Sequence, residues 1–171
     1  MKLRPKKSAR ENASRLLPRL AQEFFETIDQ AVEGEIDPEQ AHGLRILTKR
    51  FRYSLEYFRP CYGDTLDAHL KTIRDLQQLL GQLNDCCSSR ALCQDLLRAS
   101  DRGFRRNKLF PAFHQREGEL LEQFRSEWRD RFQSQGFRKK LCRYLARPLV
   151  PKPAVRAPEP PAEPVPQESA T

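Results

Sequence analysis

His42-Gly43-Leu44-Arg45-Ile46-Leu47-Thr48-Lys49-Arg50-Phe51-Arg52-Tyr53 is the stretch that decides how this chain folds. At about 100° per residue it separates into two faces. His42, Arg45, Lys49, Arg52 and Tyr53 share one sector with Glu56, and Leu44, Leu47, Phe51, Leu55 and Phe58 lie opposite. An apolar stripe at that period predicts a helix packed on a core. The cations recur about once per turn on the other side, a pitch suited to a ligand with negative charge at regular intervals. Exposed helix faces ordinarily mix signs, with acids four residues from bases. Here Glu56 is the one acid in the sector.

The helical period extends to both sides of this stretch. Ala13, Leu16, Leu17, Leu20, Phe24, Ile28 and Val32 predict a first helix that ends at Gly34. Pro18 lies inside that pattern; it fits if Ser14 caps the helix, and otherwise it kinks it. Asp37-Pro38 reads as a cap followed by proline at the first helical position, and helix two runs to about Arg59, before Pro60 and Gly63. Asp64 is placed to cap helix three, which carries Leu66, Leu70, Ile73, Leu76, Leu80 and Leu83 and reaches Ala99. A basic connector from Asp101 to Lys108 leads to Pro111 and a fourth helix with Phe113, Leu120, Phe124, Trp128 and Phe132. Gly136 breaks it, and Phe137 to Arg147 form a short last helix. No strand-type alternation appears. The expected fold is all-α: an antiparallel up-and-down four-helix bundle over residues 13–147 with a short extra C-terminal helix. A basic arm, residues 1–12, precedes it. A Pro-, Ala- and Glu-rich tail, residues 148–171, is expected to be disordered.

A chain of 171 residues suits one domain. Lys and Arg number 31 against 23 Asp and Glu, a net charge of +8. The tail holds Lys152 and Arg156 against Glu159, Glu163 and Glu168, so the excess belongs to the folded part. Such a balance favours polyanionic partners. The five cysteines are odd in number and lack disulfide spacing, and no apolar signal segment is seen, which suggests a reducing cytoplasm. Cys87 and Cys93 have no second ligand pair, and His42, His69 and His114 do not converge by spacing, so no metal is expected. No apolar run approaches the ~18 residues of a membrane span. A Gly-rich phosphate loop, G-x-S-x-G and H-E-x-x-H are all missing. Neither catalysis nor a cofactor is therefore expected, and phosphate would be held by side chains, a task that suits the planar fork of Arg.

Helix three repeats the logic of helix two. Lys71, Arg74, Gln78, Gly81 and Asp85 share one face, opposite Ile73, Leu76, Leu80 and Leu83. Two helices with cationic sides would line a common groove if they pack as neighbours. Glu56 and Asp85 read as carboxylates that orient arginines rather than as an acid–base pair.

His42-x-x-Arg45-x-x-x-Lys49-Arg50-x-Arg52-Tyr53-x-x-Glu56 resembles the signature of the CHAD domain, the conserved-histidine α-helical domain. Ile73-Arg74-x-Leu76-Gln77-x-Leu79-Leu80-Gly81-x-Leu83-Asn84-Asp85 is similar to that family's second motif. The close match covers about residues 41–97; helices one and four fit by pattern. The resemblance implies binding of inorganic polyphosphate in a cationic channel. The residues it places there are His42, Arg45, Lys49, Arg52, Arg74 and Lys71. Arg50 and Tyr53 of the same stretch complete the candidate set, and the basic clusters Lys6, Lys7, Arg10 and Arg138, Lys139, Arg143 are expected from their charge to extend the path. Gln77, Gly81 and Asp85 match in structural roles, with Gly81 allowing close helix approach. Asp75 stands where the family commonly has a base. Family members commonly hold two such bundles and this chain holds one motif set, so either one bundle suffices or two chains pair as a homodimer. The acidic pattern of the tunnel hydrolase often found beside the domain is absent, so that activity is not carried over.

Three other readings use the same residues. Nucleic-acid binding would use the same phosphate term, but single-strand binders add aromatic platforms, and only Tyr53 lies near the cation row. An enzyme on phosphorylated substrates would need Glu56 or Asp85. A module that binds an acidic protein would depend on the Pro-rich tail.

Overall fold

The structure, a computed structural model, describes residues 3–100, 103–134 and 136–147. Helix α1 (Ala9–Glu33) starts earlier than the apolar period suggests, because Ser8 and Glu11 form a capping box. Ser14 is therefore not the cap; its hydroxyl donates to the Glu11 carbonyl at 3.3 Å. Pro18 sits within the helix, where its missing N–H leaves the Ser14 carbonyl without a helical donor. Asn12 is buried and holds the preceding segment. Its Oδ1 accepts from the Arg4 N–H at 2.9 Å, and its Nδ2 donates to the carbonyls of Arg4, Lys7 and Ser8 at 3.1–3.2 Å.

Helix α2 (Pro38–Tyr57) begins at the predicted Asp37 cap, which forms a capping box with Gln40. A 3-10 turn, Arg59–Cys61, and Gly63 at φ +73° lead into α3 (Thr65–Ser100). Helix α4 (Gly103–Glu127) includes Gly103 to Lys108, most of the expected basic connector, and Pro111 lies inside it. Asp101 and Arg102 lie outside the described residues, as does the tail, 148–171. Helix α4 passes into a π-helical segment, Trp128–Ser134. Gly136, at φ +66° in the left-handed region that favours glycine, then starts α5 (Phe137–Leu145).

The described residues contain five α-helices and no strand. Cross-helix contacts fix an antiparallel, up-and-down order for the first four. Phe24 of α1 stacks on Phe51 of α2 at 4.5 Å. Arg90 of α3 meets Glu117 of α4 at 2.7 Å, and Asp75 of α3 meets Arg131 at 3.4 Å. Arg125 of α4 donates to the Gly34 carbonyl at the end of α1. The core is aromatic at its centre: Trp128 stacks on Phe132 at 4.6 Å and stands edge-on to Phe24 at 5.9 Å. Fully burying each such side chain contributes roughly 1.5–3 kcal/mol. Helix α5 closes one end. The Tyr62 hydroxyl donates to the Leu145 carbonyl at 2.9 Å, and the Tyr144 hydroxyl donates to the Tyr62 carbonyl.

Candidate functional site

The seam between α2 and α3 sets the motif residues of the two helices face to face. Its register follows from the apolar stripes. Leu44, Phe51 and Leu55 of α2 and Ile73, Leu76, Leu80 and Leu83 of α3 are all buried, which turns the flanking polar positions toward a common rim. At one end His42 Nδ1 stands 2.9 Å from Asn84 Oδ1. That oxygen only accepts, so Nδ1 donates to it and Nε2 is left for another partner. Next along, Arg45 Nε lies 4.0 Å from where a Cβ on Gly81 would sit. At the other end Arg52 Nε donates to Gln77 Oε1 at 2.7 Å, and Arg52 Nη1 donates to Glu56 Oε1 at 2.7 Å. Arg74 Nη2 donates to the same Glu56 oxygen at 2.8 Å. His42 to Glu56 spans ~21 Å along the α2 axis.

One carboxylate thus serves two arginines. Burial pushes the Glu56 carboxyl up, but the hydrogen bond from Arg74 and the charge and hydrogen bond of Arg52 outweigh it and hold the group below the usual carboxylate range. The Tyr53 ring supports the row: the Arg52 guanidinium lies 4.3 Å from its centroid and Lys49 Nζ lies 5.7 Å away. Among the described residues, Arg45, Lys49 and Lys71 form no ion pair. The positive charge at the middle of the row is therefore uncompensated by carboxylates.

The seam brings together His42, Arg45, Arg52 and Arg74; Lys49 and Tyr53 adjoin Arg52 along α2 and line the groove toward α1. Lys71 is exposed one turn before Arg74 and continues the line. Arg50 turns the other way, toward Glu23 of α1 at 3.8 Å. Of the wider set, Lys7 pairs with Glu11 at 2.8 Å, and Arg138 pairs with Asp29 at 2.8 Å. Lys139 shares with Arg138 a cavity of about 330 Å³ lined by Asp29 and Trp128, on the α1–α5 side. Lys6 and Arg143 are exposed, and Arg10 is half-buried.

On helix three, Gln78 and Asp85 depart from the expected roles, and Asp75 turns away from the seam. Gln77, not Gln78, reaches Arg52; Gln78 lines a cavity with Asp75, Glu127 and Arg131 on the α4 side. Asp75 is held by Arg131, so its charge leaves the seam. Asp85 accepts from Asn84 Nδ2 at 3.4 Å, at the opposite end from Glu56. The signal for Gln77 was present in the sequence as the i+3 neighbour of Arg74. No group of three or more His, Cys, Asp or Glu that could hold a metal ion is found among the described residues. None of the described helices is long and apolar enough to cross a membrane.

A protein-family model described as the CHAD domain matches residues 2–94, more than half of the chain. The chain belongs to the CHAD family. No curated protein and no solved structure matches it. The CHAD match takes in α1, α2 and most of α3, so both helices of the seam lie within it.

Gly81, within that CHAD region, has no backbone atom near its missing Cβ; the nearest atom is the flexible Arg45 side chain. A Cβ there would meet Arg45 at ordinary van der Waals distance and no backbone atom of α2, so no close backbone approach requires the glycine. Gly81→Ala is therefore expected to stabilise the fold by about 0.5–1 kcal/mol, because alanine loses less backbone entropy in a helix. Urea unfolding measures this. A loss of stability would show that the α2 and α3 backbones need the glycine.

Proposed function

We propose that the chain binds inorganic polyphosphate, or a similar linear polyanion, along the α2–α3 cation row and does so without catalysis. The observation that carries this reading is the charge arrangement: among the described residues Arg45 and Lys49 form no ion pair, while Arg52 and Arg74 share the carboxylate of Glu56. Membership of the CHAD family, understood to bind polyphosphate, supports it. A flexible anion lying along the row exchanges its counterions for guanidinium and ammonium groups, and release of those counterions drives association. Gln77 and Glu56 hold the Arg52 fork in place before the ligand arrives, and Asn84 does the same for the His42 ring. Such preorganisation lowers the entropy lost on binding. Lys71 lengthens the path. The odd number of cysteines argues for a reducing cytoplasm as the compartment.

Nucleic acid is the weaker ligand in this reading. Tyr53 is the one aromatic side chain on the row, and its ring already carries Arg52; base stacking needs open platforms. Competition at matched phosphate concentration tests the choice: polyphosphate is expected to displace labelled single-stranded DNA, and DNA that resists displacement contradicts it. Glu56 lies against Arg74, and Asp85 is ~16 Å farther along α3 from Arg74, too far for the two carboxylates to act on one atom as acid and base. A phosphate-release assay with and without magnesium is expected to show no turnover. Turnover that disappears in Glu56→Gln would overturn the non-catalytic reading.

A further inference from the structure

A second surface lies on the other side of α2. Between α1 and α2 runs a groove of about 650 Å³. Its floor is apolar, formed by the buried Leu16 and Phe58 and the partly buried Leu20. Its walls are large and unusually open for apolar side chains: Ile46 is 50% exposed, Tyr53 48% and Tyr57 69%. Tyr57 and Phe58 stand edge to face at 4.9 Å. Lys49 and Arg50 line the same groove. The cation row does not use this surface, although Lys49 and Tyr53 border both.

We propose that this groove is the docking site for the chain's own proline-rich segment, residues 158–166. Three observations select that occupant. The first is shape and chemistry. In Pro158-Glu159-Pro160-Pro161-Ala162-Glu163-Pro164-Val165-Pro166, prolines recur at 158, 161 and 164. A polyproline II helix has three residues per turn, so those three rings share one ridge. Aromatic-lined grooves are the surfaces that take such ridges, because a polyproline II ligand in general is extended beforehand and loses little entropy.

The second is charge. The segment carries Glu159 and Glu163 and no base, and the groove is edged by Lys49 and Arg50. A second copy of this chain would instead bring a like-charged rim against it, since the chain's net charge is +8.

The third is reach. The chain leaves α5 at Arg147, just after Leu145, whose carbonyl is held by Tyr62. Tyr62 follows Phe58, a lining residue of the groove, by four positions across the 3-10 turn. Residues 148–157 cover up to ~30 Å in extended form. The groove from Phe58 to Ile46 measures ~18 Å along α2, which matches the ~19 Å that a ridge of Pro158, Pro161 and Pro164 would span as polyproline II.

The test is site-specific photo-cross-linking in the full chain. Tyr57, the most exposed wall residue, is replaced by p-benzoylphenylalanine, the protein is irradiated at low concentration, and the product is read by mass spectrometry. The expected result is a single-chain product joined within residues 158–166, with a yield that falls at least about fivefold in Pro158→Gly/Pro161→Gly/Pro164→Gly. A two-chain product would assign the groove to a second copy and overturn the proposal. So would products scattered over 148–157, or a yield indifferent to the proline substitutions. No polyanion enters this experiment, so its outcome is independent of the polyphosphate reading.

Discussion

Arg45→Ala/Lys49→Ala/Arg52→Ala is expected to weaken polyphosphate binding at least about 100-fold at low salt. Hydrogen bonds to charged groups are worth roughly 1.5–3 kcal/mol each, and 1.4 kcal/mol is tenfold in affinity. The three side chains lie on successive turns of α2, so their removal empties the middle of the row. Arg45 and Lys49 form no ion pair among the described residues. Truncating them therefore strands no carboxylate, and the loss falls on the ligand rather than on the fold. Arg52 differs, because it bridges Gln77 and Glu56; Arg74 still satisfies Glu56 when it is gone. Fluorescence anisotropy with labelled long-chain polyphosphate, on protein with unchanged circular dichroism, measures the effect. By contrast, Lys139→Ala/Arg143→Ala removes exposed charges on α5 and is expected to change affinity by less than about threefold, as screened surface charges do.

The largest effect on stability is expected at Trp128. Trp128→Ala is predicted to cost about 3–5 kcal/mol, the range for emptying a buried aromatic site. Trp128 is fully buried, stacks on Phe132 and touches both Phe24 and Phe25. Its Nε1–H also donates to Asp29 Oδ1 at 2.8 Å. That carboxylate keeps Arg138 and Gln133 as donors when the indole is lost, so the cost is mainly packing. Trp128→Phe separates the two contributions: it keeps most of the volume, gives up the hydrogen bond and is expected to cost about 1–2 kcal/mol. The urea midpoints of both variants test this, and equal losses would contradict the packing account.

Much of this arrangement could be read from the sequence, and the parts that could not share a physical cause. The faces of α2 and α3 were legible because their apolar stripes keep the helical period, which fixes what lies opposite. The Asp37-Pro38 start was legible because capping chemistry is local. Ser8 was missed as the first cap because the apolar period begins only at Ala13, one turn later. The α4 start was missed because Gly103 to Lys108 shows no apolar periodicity in the sequence. At the site, a helical wheel places residues on a face but not against a partner. It grouped Gln78 with the row, although Gln77 makes the bond to Arg52. It also left Asp75 without the arginine on the π-helical segment that holds it. Arg50 is adjacent to Lys49 in sequence yet faces α1, since neighbouring helical residues diverge by about 100°. The α1–α2 groove had no sequence signal, because Ile46, Tyr53 and Tyr57 are scattered at the edges of two faces.

The most direct test of the polyphosphate reading is the salt dependence of binding for the wild type and for Arg45→Ala/Lys49→Ala/Arg52→Ala. For single-stranded polyanions the slope of log affinity against log salt is about −0.7 per neutralised charge. The wild type is predicted to bind tightly with a steep slope, and the triple variant to lose on the order of 2 units of that slope with its affinity. A triple variant that keeps the wild-type slope and affinity would contradict the α2–α3 row as the binding site.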